Sequence, residues 1–128
     1  MYAALRATDA YRQTEVRSRT PLELVVMLYD GALQFMSVAD EAIRRRDIAG
    51  RKTAISKALA IISELQSTLN MDQGGEIAAS LDELYRWSSV RLLDATAQND
   101  TAPLEEVIGV FRTLRDGWSG IASGSGGQ

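Results

Sequence analysis

The stretch TPLELVVMLYDGALQFM, residues 20–36, leaves the chain little choice of fold. Thr20 is placed as a helix N-cap, its side-chain oxygen free to accept from an N–H of the first turn. Pro21 lacks only a donor that has no partner at N1 anyway. Glu23 at N3 reaches back to the cap and meets the positive end of the helix dipole. Val25, Leu28, Tyr29, Ala32, Met36 and Ala39 then recur at three- and four-residue spacing on one face. Leu24, Val26, Met27 and Phe35 spread onto the flanks. A helix covering a core from one side needs only the first set, so this one is expected to meet apolar neighbours on more than one side.

The same periodicity marks three more long helices. The first runs from Pro21 to about Arg46, with Arg44, Arg45 and Arg46 in its last turn, where cations complement the dipole. Gly31 inside it costs about 1 kcal/mol against alanine and points to a closely packed neighbour. Asp47 is placed to cap a second helix over about 49–70, whose seam is Ile55, Ala58, Ile62, Leu65 and Leu69. Asn70 to Gly75 form a turn in which two glycines can supply positive φ and a tight reversal. The third helix, about 76–98, has Ile77, Leu81, Leu84, Ser88, Arg91 or Leu92, and Ala95 on its inner face. Tyr85 and Leu92 line one flank, and Val90 and Leu93 another.

Asp100 or Thr101 caps the last helix, with Pro103 in its first turn. Leu104, Val107, Ile108, Phe111, Leu114, Trp118 and Ile121 share a side of it, and from Ser119 the periodicity fades. Residues 1–14 can form only a short helix that must dock on the rest. The expected architecture is all-α: an antiparallel up-down four-helix bundle with a short extra N-terminal helix and a flexible C-terminal tail. It forms one domain over residues 1–122, with 1–14 as an N-terminal lid and 123–128 as the tail.

Composition narrows the chemistry. The chain of 128 residues has 14 basic and 17 acidic side chains, a net charge of −3 that argues against general nucleic-acid binding. It has no cysteine and no histidine, so the best nucleophile, the commonest general base and the commonest metal ligand are all missing. A di-metal carboxylate centre in a four-helix bundle needs inward glutamates and Glu-x-x-His pairs, whereas the seams here are alanine, leucine and isoleucine. The neighbours Asp40-Glu41, Asp82-Glu83 and Glu105-Glu106 point about 100° apart on a helix and form solvated faces, not acid/base pairs. Neither an enzyme nor a cofactor is expected. No apolar run is read as a membrane span, and the charged N-terminus does not read as a signal peptide, so a cytoplasmic location is expected. Tyr85 and Trp87 cannot both face one core, so one of them is expected near the surface. What remains is excess apolar helix surface, which serves subunit contact or capture of a partner helix.

Several blocks, in order, carry a family resemblance: AYRQTEV at 10–16, TPLELVVMLYDGAL at 20–33, ISKALAIISEL at 55–65 and GGEIAASLDELYRWSSVRLLDA at 74–95. ND at 99–100 and LEEVIGVFRTLRDGW at 104–118 complete the set. Over about Ala10 to Trp118 the chain resembles the FliS family of flagellar export chaperones. Ser80 stands where the family pattern usually has Asn, and Trp87-Ser88 where it commonly has Tyr-Met. The resemblance implies a cytoplasmic chaperone that binds the disordered C-terminal segment of flagellin. It would block premature polymerisation and keep the client competent for flagellar type III export. It also implies that the N-terminal segment, through the tyrosine matching Tyr11, covers part of the flagellin groove until displaced, and that the export gate and regulatory proteins are further partners.

The expected partner-binding residues are Tyr11 and Val16 in the lid and Leu24, Met27, Ile55, Leu59, Ile62, Tyr85 and Leu92 on the helix flanks. Alternatives from other classes are a self-associating structural bundle, an adaptor for another amphipathic helix, and an enzyme or metal carrier. The chain is expected to be a monomer or weak homodimer.

Overall fold

The computed structural model describes residues 20–126 as four α-helices in chain order: α1 (Pro21–Arg45), α2 (Ile48–Ser67), α3 (Gly75–Gln98) and α4 (Thr101–Gly126). Among the described residues there is no strand. Each helix packs on two neighbours around the ring, α1 on α2 and α4, α3 on α2 and α4. Short connections between such helices force antiparallel neighbours, which gives an up-down bundle. The extra N-terminal helix lies outside the described residues.

Local chemistry sets the boundaries. The Thr20 hydroxyl accepts from the Glu23 N–H at 3.2 Å and donates to Glu23 Oε1 at 3.1 Å. Arg46 ends α1 in the left-handed region at φ 60°, and its N–H closes back on the Ile43 carbonyl. Asp47 Oδ1 then accepts from the Gly50 N–H at 3.0 Å, capping α2. Gly75 supplies the positive φ, 55°, that starts α3, while Gly74 sits where a Cβ would meet the Asn70 carbonyl oxygen at 2.6 Å. Asn99 closes α3 at φ 54°, and Asp100 Oδ1 accepts from the Ala102 N–H at the head of α4.

The core is filled from all four helices. Tyr29, Ala32, Met36 and Ala39 of α1 meet Ile55, Ala58, Ile62 and Leu65 of α2, Tyr85, Leu92 and Ala95 of α3, and Leu104, Val107 and Phe111 of α4. Alanine at the seams lets the helices approach closely. Gly31 does the same on the flank, since a Cβ there would lie 3.1 Å from Ile61 Cδ1. Three rings cluster at the centre: Phe111 lies 5.1 Å from Tyr29 and 6.3 Å from Tyr85, centroid to centroid and tilted, the arrangement ring quadrupoles favour. Ser88 is buried beside them and returns its hydroxyl to the Leu84 carbonyl at 2.8 Å. Interhelical ion pairs line the rim. Arg115–Asp30 at 2.7 Å and Arg44–Glu105 at 2.6 Å tie α4 to α1, and Arg91–Glu106 ties it to α3.

Three expectations change. Ile77 is 72% exposed, because the buried stripe of α3 is rotated by one residue and runs Ala78, Tyr85, Ser88, Leu92, Ala95. Helix α4 continues to Gly126 through the stretch read as losing its helix at Ser119, so the tail expected at 123–128 is helical as far as the described residues go. That stretch has no proline to stop it, and Trp118 packs on the core. Finally, α1 is long and apolar enough, by length and composition only, to cross a membrane. Its charged residues are spaced widely enough to leave such a stretch. In the bundle its central stripe is the core itself.

Candidate partner-binding surface

The apolar surplus of α1 ends up half-exposed. Leu22, Leu24, Val25, Val26, Met27 and Leu28 are all intermediate in burial, two turns of helix with apolar side chains on every side. Leu24 and Met27 begin a row that continues through Gly31 and Phe35 to Val38. Gly31 faces Ile61, and the Lys57 ammonium lies 5.4 Å from the Phe35 ring centroid, so this row borders α2. It runs into an open cleft of about 340 Å³ at the α1–α2 hairpin, lined by Val38, Ala42 and Gly50 with Glu41, Arg45 and Asp47 at its edges. Arg45 and Glu41 pair at 2.9 Å on that rim.

A second groove lies on α4, on the side that faces α3. Val110 and Leu114 wall a cleft of about 470 Å³, with Gly109 and Thr113 as low points and Glu105 and Glu106 at one end. The Arg91–Glu106 pair fixes which side of α3 borders it. Trp87, 37% exposed, lies one turn before Arg91 on that side.

The expected site residues divide sharply. Leu24 and Met27 are half-buried neighbours on the α1–α2 border. Leu59 is half-buried too, but two turns before Gln66, whose amide donates to Asp82 of α3 at 3.2 Å, so Leu59 borders α3 on the other side of α2. Ile55, Ile62, Tyr85 and Leu92 are each at most 2% exposed and belong to the core cluster. A spacing of three and four residues marks a seam and its flank alike, and the choice between them is made by how the helices rotate against each other. Tyr11 and Val16 lie outside the described residues. The α4 cleft escaped the sequence reading, although the row Gly109, Thr113, Gly117 beside Val110 and Leu114 was visible there. Small residues at four-residue intervals beside large apolar ones mark a groove.

Among the described residues the Tyr29 and Tyr85 phenols have their pKa values pushed up, first by burial. Among the described residues no three acidic side chains converge as a metal site would require.

Comparison with known proteins agrees with this geometry. The chain matches the family described as flagellar protein FliS over residues 4–125. It is 34% identical to the flagellar secretion chaperone FliSB of Pseudomonas aeruginosa, over 95% of this chain and 99% of that protein. It is 40% identical to the flagellar secretion chaperone FliS of Bacillus subtilis, over 85% of this chain and 80% of that one. The corresponding protein of Salmonella typhimurium is 36% identical over 95% of this chain and 93% of its own length. A helical bundle matched along nearly its whole length by such relatives, the chain belongs to the FliS family of flagellar secretion chaperones.

Proposed function

We propose that the chain is a cytoplasmic chaperone for flagellin. It holds the disordered C-terminal segment of the client, prevents its premature polymerisation and keeps it competent for flagellar export. The family is one of chaperones and not of enzymes. The observation that carries the reading is the half-exposed apolar collar at Leu22–Leu28, continued by the α1–α2 border, with the α4 cleft as a separate apolar surface. A disordered segment loses much entropy on ordering, and only a long apolar track repays that loss. Leu24, Met27 and Leu59 are the proposed client contacts from the original set, joined by Val110 and Leu114. Residues 1–14, with Tyr11, are proposed as a lid that the client displaces, and the export gate as a later partner.

Calorimetric titration with a peptide spanning the C-terminal segment of flagellin from the same organism tests this. Saturable one-to-one binding with a large negative heat-capacity change is expected. Absence of binding by protein shown to be folded overturns it. A second reading, self-association, rests on Val90 and Leu93, both exposed on the outer side of α3. Light scattering across concentration separates the two, because a monomer at every concentration removes it.

A further inference from the structure

The C-terminal part of α4 is built differently from the rest of the bundle. Four glycines, Gly117, Gly120, Gly124 and Gly126, fall in its last ten residues, and Gly109 is the only other glycine in the helix. Each costs a helix nearly as much as any residue except proline. Such glycines are usually explained by a close neighbour or a left-handed backbone. Neither applies at Gly117 or Gly120, where a Cβ would meet nothing within 4 Å and φ is ordinary.

The ties between helices stop at the same place. Arg44–Glu105, Arg91–Glu106 and Arg115–Asp30 all hold α4 at or before Arg115. Among the described residues no ion pair is made from Gly117 to Ser123, and the one side-chain polar contact there is that of Trp118 with Tyr29. What holds this part down is chiefly Trp118, which packs on the core. Its indole meets the Tyr29 phenol and eases the upward shift that burial gives it. Ile121, one turn further on, is 53% exposed and contributes little burial.

From these features we infer that residues 117–123 form a strap that leaves the bundle as a unit while Thr101–Asp116 stays helical, uncovering the Tyr29 edge of the aromatic core. The strap follows Arg115, which is tied to Asp30, so it lies alongside the antiparallel first turns of α1. Opening it enlarges the apolar collar at Leu22–Leu28. The inference concerns the free chain and does not depend on what the collar binds.

Hydrogen exchange on the intact chain tests it, comparing the parent with G117A/G120A. Alanine fits both positions without contact, so the variant folds. Local opening is expected to expose the 117–123 amides far more often than those of Leu104–Leu114. The two alanines are expected to slow exchange in 117–123 by about 15- to 30-fold, from their summed helix propensities. G109A, in the tied half of the helix, is the control and leaves the opening of the strap unchanged relative to the core. In a W87F background, which leaves Trp118 as the single indole, acrylamide quenching falls in parallel. The inference is overturned if the 117–123 amides share the protection of Leu104–Leu114, or if G117A/G120A slows them less than about five-fold.

Discussion

The phenol oxygens of Tyr29 and Tyr85 lie 2.6 Å apart at the centre of the core, a hydrogen bond between the two helices that face each other diagonally across the bundle. Around the ring the helices are joined by apolar seams and rim ion pairs. Across it, among the described residues, the joint is this one polar contact, packed against Phe111. An apolar seam of alanine and leucine tolerates sliding and rotation, whereas two hydroxyls meeting in a dry core do so in only one alignment. The pair therefore specifies how α1 and α3 are rotated, and with them which residues become core and which become surface.

Removing one hydroxyl leaves the other buried without its partner. Tyr85→Phe and Tyr29→Phe are each expected to lower stability by about 1–3 kcal/mol, the cost of an unsatisfied buried polar group. The double variant removes both groups and is expected to cost less than the sum. Urea melts of the four proteins give the coupling directly, and additive losses would mean that the hydroxyls do not act together.

The same pair sets a limit at high pH. Burial pushes both phenols above the ordinary value of 10.0, and at Tyr85 the hydrogen bond to Tyr29 adds to the rise. A folded-state pKa above the unfolded one means that the unfolded chain loses its proton first. The stability from these groups is fully present below pH 10.0 and falls as pH rises beyond it. Thermal melts between neutral pH and pH 11 are expected to show a steeper fall above pH 10.0 for the parent than for Tyr29→Phe/Tyr85→Phe.

Gly31 tests the close approach of α1 and α2. A Cβ there would lie 3.1 Å from Ile61 Cδ1, the far end of a flexible side chain that can shift by a few tenths of an ångström. Gly31→Ala gains about 1 kcal/mol of helix propensity and loses a similar amount in packing, so it is expected to be nearly neutral. Gly31→Leu cannot be accommodated that way and is expected to cost about 1–3 kcal/mol. Equal midpoints for the two variants in denaturant would show that the helices are not in contact at this point.

The helices and their caps were legible in the sequence because each rests on local chemistry. Thr20, Asp47 and Asp100 do what their spacing to the first helical residues requires, and Gly75 takes the left-handed backbone of its turn. The candidate surface was legible only in part. Ile62 and Leu59 are both apolar residues of α2 three apart, yet one is sealed in the core and the other half-open. That difference is set by the rotation of whole helices, which depends on contacts such as Tyr29–Tyr85 between residues far apart in the chain. Tyr85 itself was assigned to a flank because nothing next to it in sequence announces a partner on α1. The continuation of α4 past Ser119 was missed for the opposite reason. Local propensity there is weak, and the docking of Trp118 on the core outweighs it.

That division between core and flank yields the sharpest test of the proposed surface. Met27 is half-buried on the α1–α2 border, and Ile62 is sealed at 0% exposure in the seam of α2. A charge at Met27 can turn to water, so Met27→Glu is expected to leave the melting temperature within about 3 °C of the parent, as for a surface change. It places a carboxylate on the proposed track, where a desolvated, unpaired charge is expected to weaken binding of the flagellin peptide by at least about ten-fold. Ile62→Ala is expected to do the reverse. It opens a cavity at the centre of the bundle and costs about 2–5 kcal/mol of stability. While the protein remains folded, its affinity for the peptide should stay within about three-fold of the parent, because a core residue acts on binding only through the frame it supports. Calorimetry and thermal melts on both variants check the pair of outcomes together. If Met27→Glu binds the peptide as well as the parent does, the client track lies elsewhere, and the α4 cleft beside Val110 and Leu114 becomes the surface to mutate next.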